Sequence, residues 1–92
     1  DNEGRLSQDM SRANRAQTLV DNPLFREAFE ATKDQIAKDF DSTSSSDLEG
    51  LQRLKIRQEV LAEFMSHFQQ LVITGRMSQS EMEVLKERAK RH

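Results

Sequence analysis

The sequence predicts an all-α protein: a long antiparallel helical hairpin over about residues 23–40 and 47–74, flanked by shorter N- and C-terminal helices. Three observations predict it. Apolar residues recur every three or four positions through most of the 92 residues. Asn22-Pro23 pairs a helix-capping side chain with an imino acid suited to the first helical position. The run Asp41-Ser42-Thr43-Ser44-Ser45-Ser46 is the one low-complexity stretch. Its short polar side chains compete for backbone hydrogen bonds and so mark a bend.

Each element follows from local signals. Residues 1–6, with Asn2 and Gly4, read as a loose start. Ser7 then caps a first helix over about 8–20, with Met10, Ala13, Ala16, Leu19 and Val20 repeating at helical spacing. The second helix begins at Pro23 and carries Phe25, Ala28, Phe29, Thr32, Ile36 and Phe40 along one stripe. Ser46 or Asp47 caps the third, whose seam is Leu51, Leu54, Leu61, Met65, Phe68 and Val72, broadened by Phe64 and Leu71. Gly75 reads as its stop. Ser78 and Glu81 form a capping box for a last helix over about 79–90, with Met82, Leu85 and Ala89.

Folding back at 41–46 places Ile36 opposite Leu51. Beyond the reach of the second helix, Phe64, Met65, Phe68, Leu71 and Val72 remain apolar and need a cover. The first helix, the fourth helix and a second subunit are the three candidates.

Length and composition fit a single helical domain, 1–92. Twenty-five large aliphatic, Phe and Met side chains, with no Trp or Tyr, allow a small core, a condition that favours an oligomer or a bound partner. A net charge of −2 argues against a surface wholly given to nucleic acid or anionic membrane. The segment from Lys86 to His92 is basic, with Lys86, Arg88, Lys90 and Arg91 against Glu87. That suits a helix C-terminus; with Arg76 it is also a candidate nucleic-acid contact. Cysteine is absent, which excludes disulfides and thiolate metal sites within the chain. No 18-residue apolar run exists, so no membrane-spanning helix is expected. The chain opens on Asp1 without an initiator Met, so upstream residues are expected to have been removed or left out.

Glu59, Glu63 and His67 share one side of the third helix, but a bundle metal site needs matching ligands from several helices. A solvated face is the expectation. The acidic second helix offers paired carboxylates without a pocket to shift them apart. There is no nucleophile elbow and no phosphate-cradling glycine loop. A non-enzymatic protein without a cofactor is therefore expected. Arg57 falls between Phe64 and Phe68 on the apolar side, where it must be paired, reach outward or contact a partner; Glu30 and Asp34 are candidate partners. Gln58 beside it interrupts the seam, as polar residues that set register do. Phe25, Phe29, Arg57, Phe64, Phe68, Met82 and Leu85 are the candidate protein-interface residues.

Arg15-Ala16-Gln17 through Asn22-Pro23 to Ala28-Phe29 resembles a group of small all-helical tailed-bacteriophage proteins. Their pattern is Arg-x-Gln-x-Leu-x-x-Asn-Pro-x-Phe-x-x-Ala-Phe, followed by a polar Thr/Asp/Ser segment and a long helix ending near a Gly-basic pair, here Gly75-Arg76. The likeness covers roughly residues 12–76. Members often carry Trp before the central loop, where this chain has Phe40. The resemblance implies a virion-structure and assembly context, with the host cytoplasm or the virion as location, and carries over no site residue. The expected role is a structural or assembly protein that binds itself or another virion protein. The alternatives are a small-terminase-like DNA-binding or packaging factor and a phage inhibitor of a host protein.

Overall fold

A computed structural model of the chain describes residues 2–91, and these form three helices with no strand among them. They are α1 (Asn2–Asp21), α2 (Pro23–Ser42) and α3 (Leu48–Lys90). The all-α expectation holds, with three helices in place of four. None of them is long and apolar enough to cross a membrane.

Asn22 caps α2 as its position predicts. Its backbone is extended (φ −64°, ψ 124°), and its Oδ1 accepts from the Leu24 and Phe25 amides at 2.9 and 3.2 Å. Pro23 takes the first helical position, where a missing N–H leaves nothing unsatisfied. α2 runs two residues past Phe40. Thr43 closes it, donating its amide to Phe40 O and its hydroxyl to Asp39 O. In the bend the Ser46 amide donates to Ser44 Oγ at 3.2 Å. Asp47 is the cap of α3: its Oδ1 accepts the Gly50 amide at 2.9 Å, and its carbonyl accepts the Leu51 amide.

Two expectations are overturned. The start is not loose, because α1 is helical from Asn2 and Ser7 lies inside it; Asp1 falls outside the described residues. Leu6 is fully buried, and Arg5 lies 3.7 Å from Glu81 on α3, so tertiary contact overrides the weak helix propensity of Asn2 and Gly4. Nor does Gly75 stop a helix. α3 passes through it without a positive φ, so the predicted helix over 79–90 is the end of α3 and Ser78 caps nothing.

The chain divides into two units. The first joins α1, through Val20, to α3 from His67 on; the second comprises residues 21–66. Within the first, each step forward along α1 meets a step back along α3: Arg5 with Glu81, Asp9 with Ser78, Ala13 with Gly75. Rows four apart on one helix thus meet rows three apart on the other, as in shallow antiparallel crossings. Leu6, Ala13 and Ala16 are buried on α1, Gly75 and Ser78 on α3. A Cβ at Gly75 would collide with the Ala13 Cβ, so glycine is what lets these two backbones approach. α1 accordingly supplies part of the cover that Phe68, Leu71 and Val72 require, and all three are half-buried.

The second unit is a helical hairpin of α2 and the N-terminal part of α3. Ile36 and Leu54 are its buried apolar residues, while Leu51 is half-buried. Phe25, Phe29, Phe40, Leu61 and Met65 are half-buried as well. The middle of each helix is open. Positions 30–35 on α2 and 55–60 on α3 are exposed throughout.

Candidate interaction surfaces

Arg57 settles into an ion pair in the second unit. Its Nη1 donates to Asp39 Oδ2 at 2.9 Å, with the two side chains 48% and 34% exposed. The expected partners Glu30 and Asp34 are thereby corrected. A long side chain on a helix leans toward that helix's N-terminus, which for α3 is the bend, so the guanidinium lands about a turn nearer the bend than Asp34. The hydrogen bond from Arg57, and after it the one from Gln35 Nε2 at 2.9 Å, hold the Asp39 carboxyl below the usual carboxylate range. Gln58 is exposed and accepts from Lys55 Nζ at 3.5 Å.

The apolar candidates separate by exposure. Phe25 and Phe29 are half-buried in the second unit; Phe68, Met82 and Leu85 are half-buried in the first. Phe68 lines a cavity of about 290 Å³ with Leu71, Ala16 and Leu19, and its ring stands edge-on to His67 at 6.2 Å. Phe64 is 55% exposed. Two residues that the sequence reading passed over precede it at four-residue spacing, Ile56 and Val60, both more than half exposed. Positions i, i+4 and i+8 lie one above another on a helix, so the three form a continuous apolar row. The signal was available: the row has its own four-residue spacing beside the main seam.

The basic candidates lie in the first unit. Arg76 lines a cavity of about 360 Å³ and Lys86 one of about 580 Å³, both between α1 and α3. Arg88 and Lys90 are exposed in the last turn, where cations suit the helix dipole. Arg91 lies 3.9 Å from Glu87, and His92 falls outside the described residues. Charge is unevenly divided. The first unit holds eight Lys and Arg against six Asp and Glu, the second six against ten.

A further polar link joins Ser78, expected to be a cap, to Asp9, which sequence reasoning passed over. Ser78, 4% exposed, donates its hydroxyl to Asp9 Oδ2 at 2.8 Å, and Arg5 stands 3.7 Å from the same carboxylate. This link satisfies a buried hydroxyl and fixes the register of α1 on α3. Glu59, Glu63 and His67 do not assemble a metal site; among the described residues no three His, Asp or Glu side chains are placed to hold an ion. The arrangement offers surfaces for contact: the Ile56–Val60–Phe64 row in the second unit, and in the first a groove edged by cations, with Leu19, Ile73, Met77 and Val84 also exposed in that unit. Neither a family model, a curated protein nor a solved structure matches the chain.

Proposed function

We propose that this chain is a non-enzymatic structural or assembly protein of a tailed bacteriophage, acting through helix-mediated contacts and associating with itself. One observation carries the reading: Ile56, Val60 and Phe64 form an apolar row on α3 that is more than half exposed. The described core is slight beside it. Its buried large apolar residues are Leu6, Ile36 and Leu54, so most of the chain's apolar side chains keep some contact with water. Contiguous apolar surface of this kind goes with interaction sites. The motif around Asn22-Pro23 supplies the phage context.

Light scattering after size exclusion, over a range of protein concentrations, tests this reading. A discrete multimer that persists at low micromolar concentration is the expected result. A monomer near 10.6 kDa at every concentration removes self-association.

A second reading, a DNA-binding or packaging factor, draws on the basic excess of the first unit and on Arg76, Lys86, Arg88, Lys90 and Arg91. Phosphate contacts release counterions, so its signature is duplex binding that weakens steeply with salt.

A further inference from the structure

In the first unit, α1 and α3 leave a groove along one side, formed by two cavities of about 360 and 580 Å³ that share Met10 and Asn14. Its apolar lining is Met10, Val72 and Met82, all half-buried; Arg15, Arg76 and Lys86 are exposed along it, three cations against the single carboxylate of Glu3 at its outer end. The second unit presents the reverse. Ile56, Val60 and Phe64 stand out from α3, with Glu59 and Glu63 exposed at the same four-residue spacing. The cations nearby on that helix have partners already: Arg53 lies 4.0 Å from Glu49, and Lys55 donates to Gln58.

We propose that this groove takes the Ile56–Val60–Phe64 row of a second copy of the chain, with Glu59 and Glu63 set against Arg15, Arg76 and Lys86. The proposal rests on the self-association reading and names the surfaces that carry it. Charge complementarity selects the occupant, because the unit bearing the groove is net basic and the unit bearing the row is net acidic. Methionine is unbranched and polarizable, and two Met in the lining adapt to the Ile, Val and Phe that enter. Opposed potentials of this kind steer encounter and reject wrong partners.

A charge-swap experiment on the full chain tests it by light scattering at moderate salt. One variant reverses the groove (Arg15→Glu, Arg76→Glu, Lys86→Glu) and another reverses the row (Glu59→Lys, Glu63→Lys). Each alone is expected to dissociate at concentrations at least tenfold above those at which the parent chain holds together. Mixed in equal amounts, they are expected to re-form the parent multimer, because each reversed surface then finds its complement. Circular dichroism checks that both variants keep their helix. Val60→Ser, at an exposed position, supplies an uncharged check and is expected to weaken association several-fold.

Parent-like association of either variant, or a mixture that stays monomeric, overturns the proposed surfaces while leaving self-association standing. A monomeric parent chain overturns both. Salt-sensitive duplex binding by that monomer, lost when the groove is reversed, would assign the groove to nucleic acid.

Discussion

The two units join helices by opposite means. In the first, small residues let α1 and α3 come together: Ala13 against Gly75, with Ala16 and Ser78 buried nearby. In the second, larger side chains hold α2 and α3 in places. Ile36 and Leu54 are buried, Phe25 and Phe29 half-buried, and the Arg57–Asp39 pair, partly open to solvent, joins the helices near the bend. Close packing fixes a register strictly, since interiors cannot absorb an added methyl without something moving. Spaced large contacts with water between them fix it loosely. The first unit is therefore expected to be brittle to changes of volume and the second tolerant.

Glycine substitutions test that difference most sharply. Gly→Ala inside a helix ordinarily stabilises by about 0.5–1 kcal/mol. At Gly75 the sign should reverse, because the new Cβ meets the Ala13 Cβ and Asp9 O lies 3.1 Å away, so whole helices must shift. Gly75→Leu should cost on the order of 3 kcal/mol, the upper end of the overpacking range. Gly50→Ala in the other unit meets only the Asp47 side chain, which can rotate away. There the loss of the Asp47 cap, about 1 kcal/mol, is nearly offset by the gain in propensity. Urea denaturation of the three variants reads these costs. If Gly75→Ala is stabilising, the close-approach account fails; if Ala13→Gly restores Gly75→Ala, it is sharpened.

The polar link between Asp9 and Ser78 should show the next largest effect. Asp9→Ala strands a buried hydroxyl and should cost about 1–3 kcal/mol. Ser78→Ala leaves a carboxylate whose side chain is 19% exposed and beside Arg5, so its cost should fall at the low end of that range. Thermal or urea unfolding of both single variants and the double variant gives the coupling directly. Additive costs would mean that the pair fixes nothing.

What the sequence disclosed, and what it hid, follows the same division. Asn22-Pro23 and the serine-rich bend are legible because their chemistry is local: a side chain caps amides two and three residues away. Gly75 and the Ser78–Glu81 pair carry equally local signals, of a stop and a new start. Yet here the glycine makes room for Ala13, and the serine reaches Asp9, 69 positions away. A local rule cannot distinguish a glycine that ends a helix from one that admits a neighbour. The better clue was phase, for Val72, Gly75, Met82 and Leu85 keep helical spacing straight through the supposed break. Leu6 was hidden for the same reason, since only contact with another element explains why so polar a start is ordered. Among the interface candidates, Phe64 stays exposed, whereas Phe25, Phe29, Phe68, Met82 and Leu85 are half-buried within their own units.

The smallest effect belongs to Arg57 and Asp39, and it carries a sign that can be checked. The folded-state pKa of Asp39 lies below its ordinary value, chiefly through the Arg57 hydrogen bond and next through Gln35. Its contribution is therefore fully present above the unfolded carboxylate value, near 4, and is lost as pH falls through the lower folded value. Asp39→Asn should match the parent chain at the acid end, where both side chains are neutral, and fall slightly behind it above about pH 4. Because the pair is solvent-exposed, added salt should shrink the gap. Unfolding curves from pH 2 to 7 at low and high salt make the measurement. A gap that exceeds the Ser78→Ala effect would mean that this pair, and not the apolar ends of the hairpin, fixes the register of α2 on α3. The contrast between a strict unit and a tolerant one would then collapse.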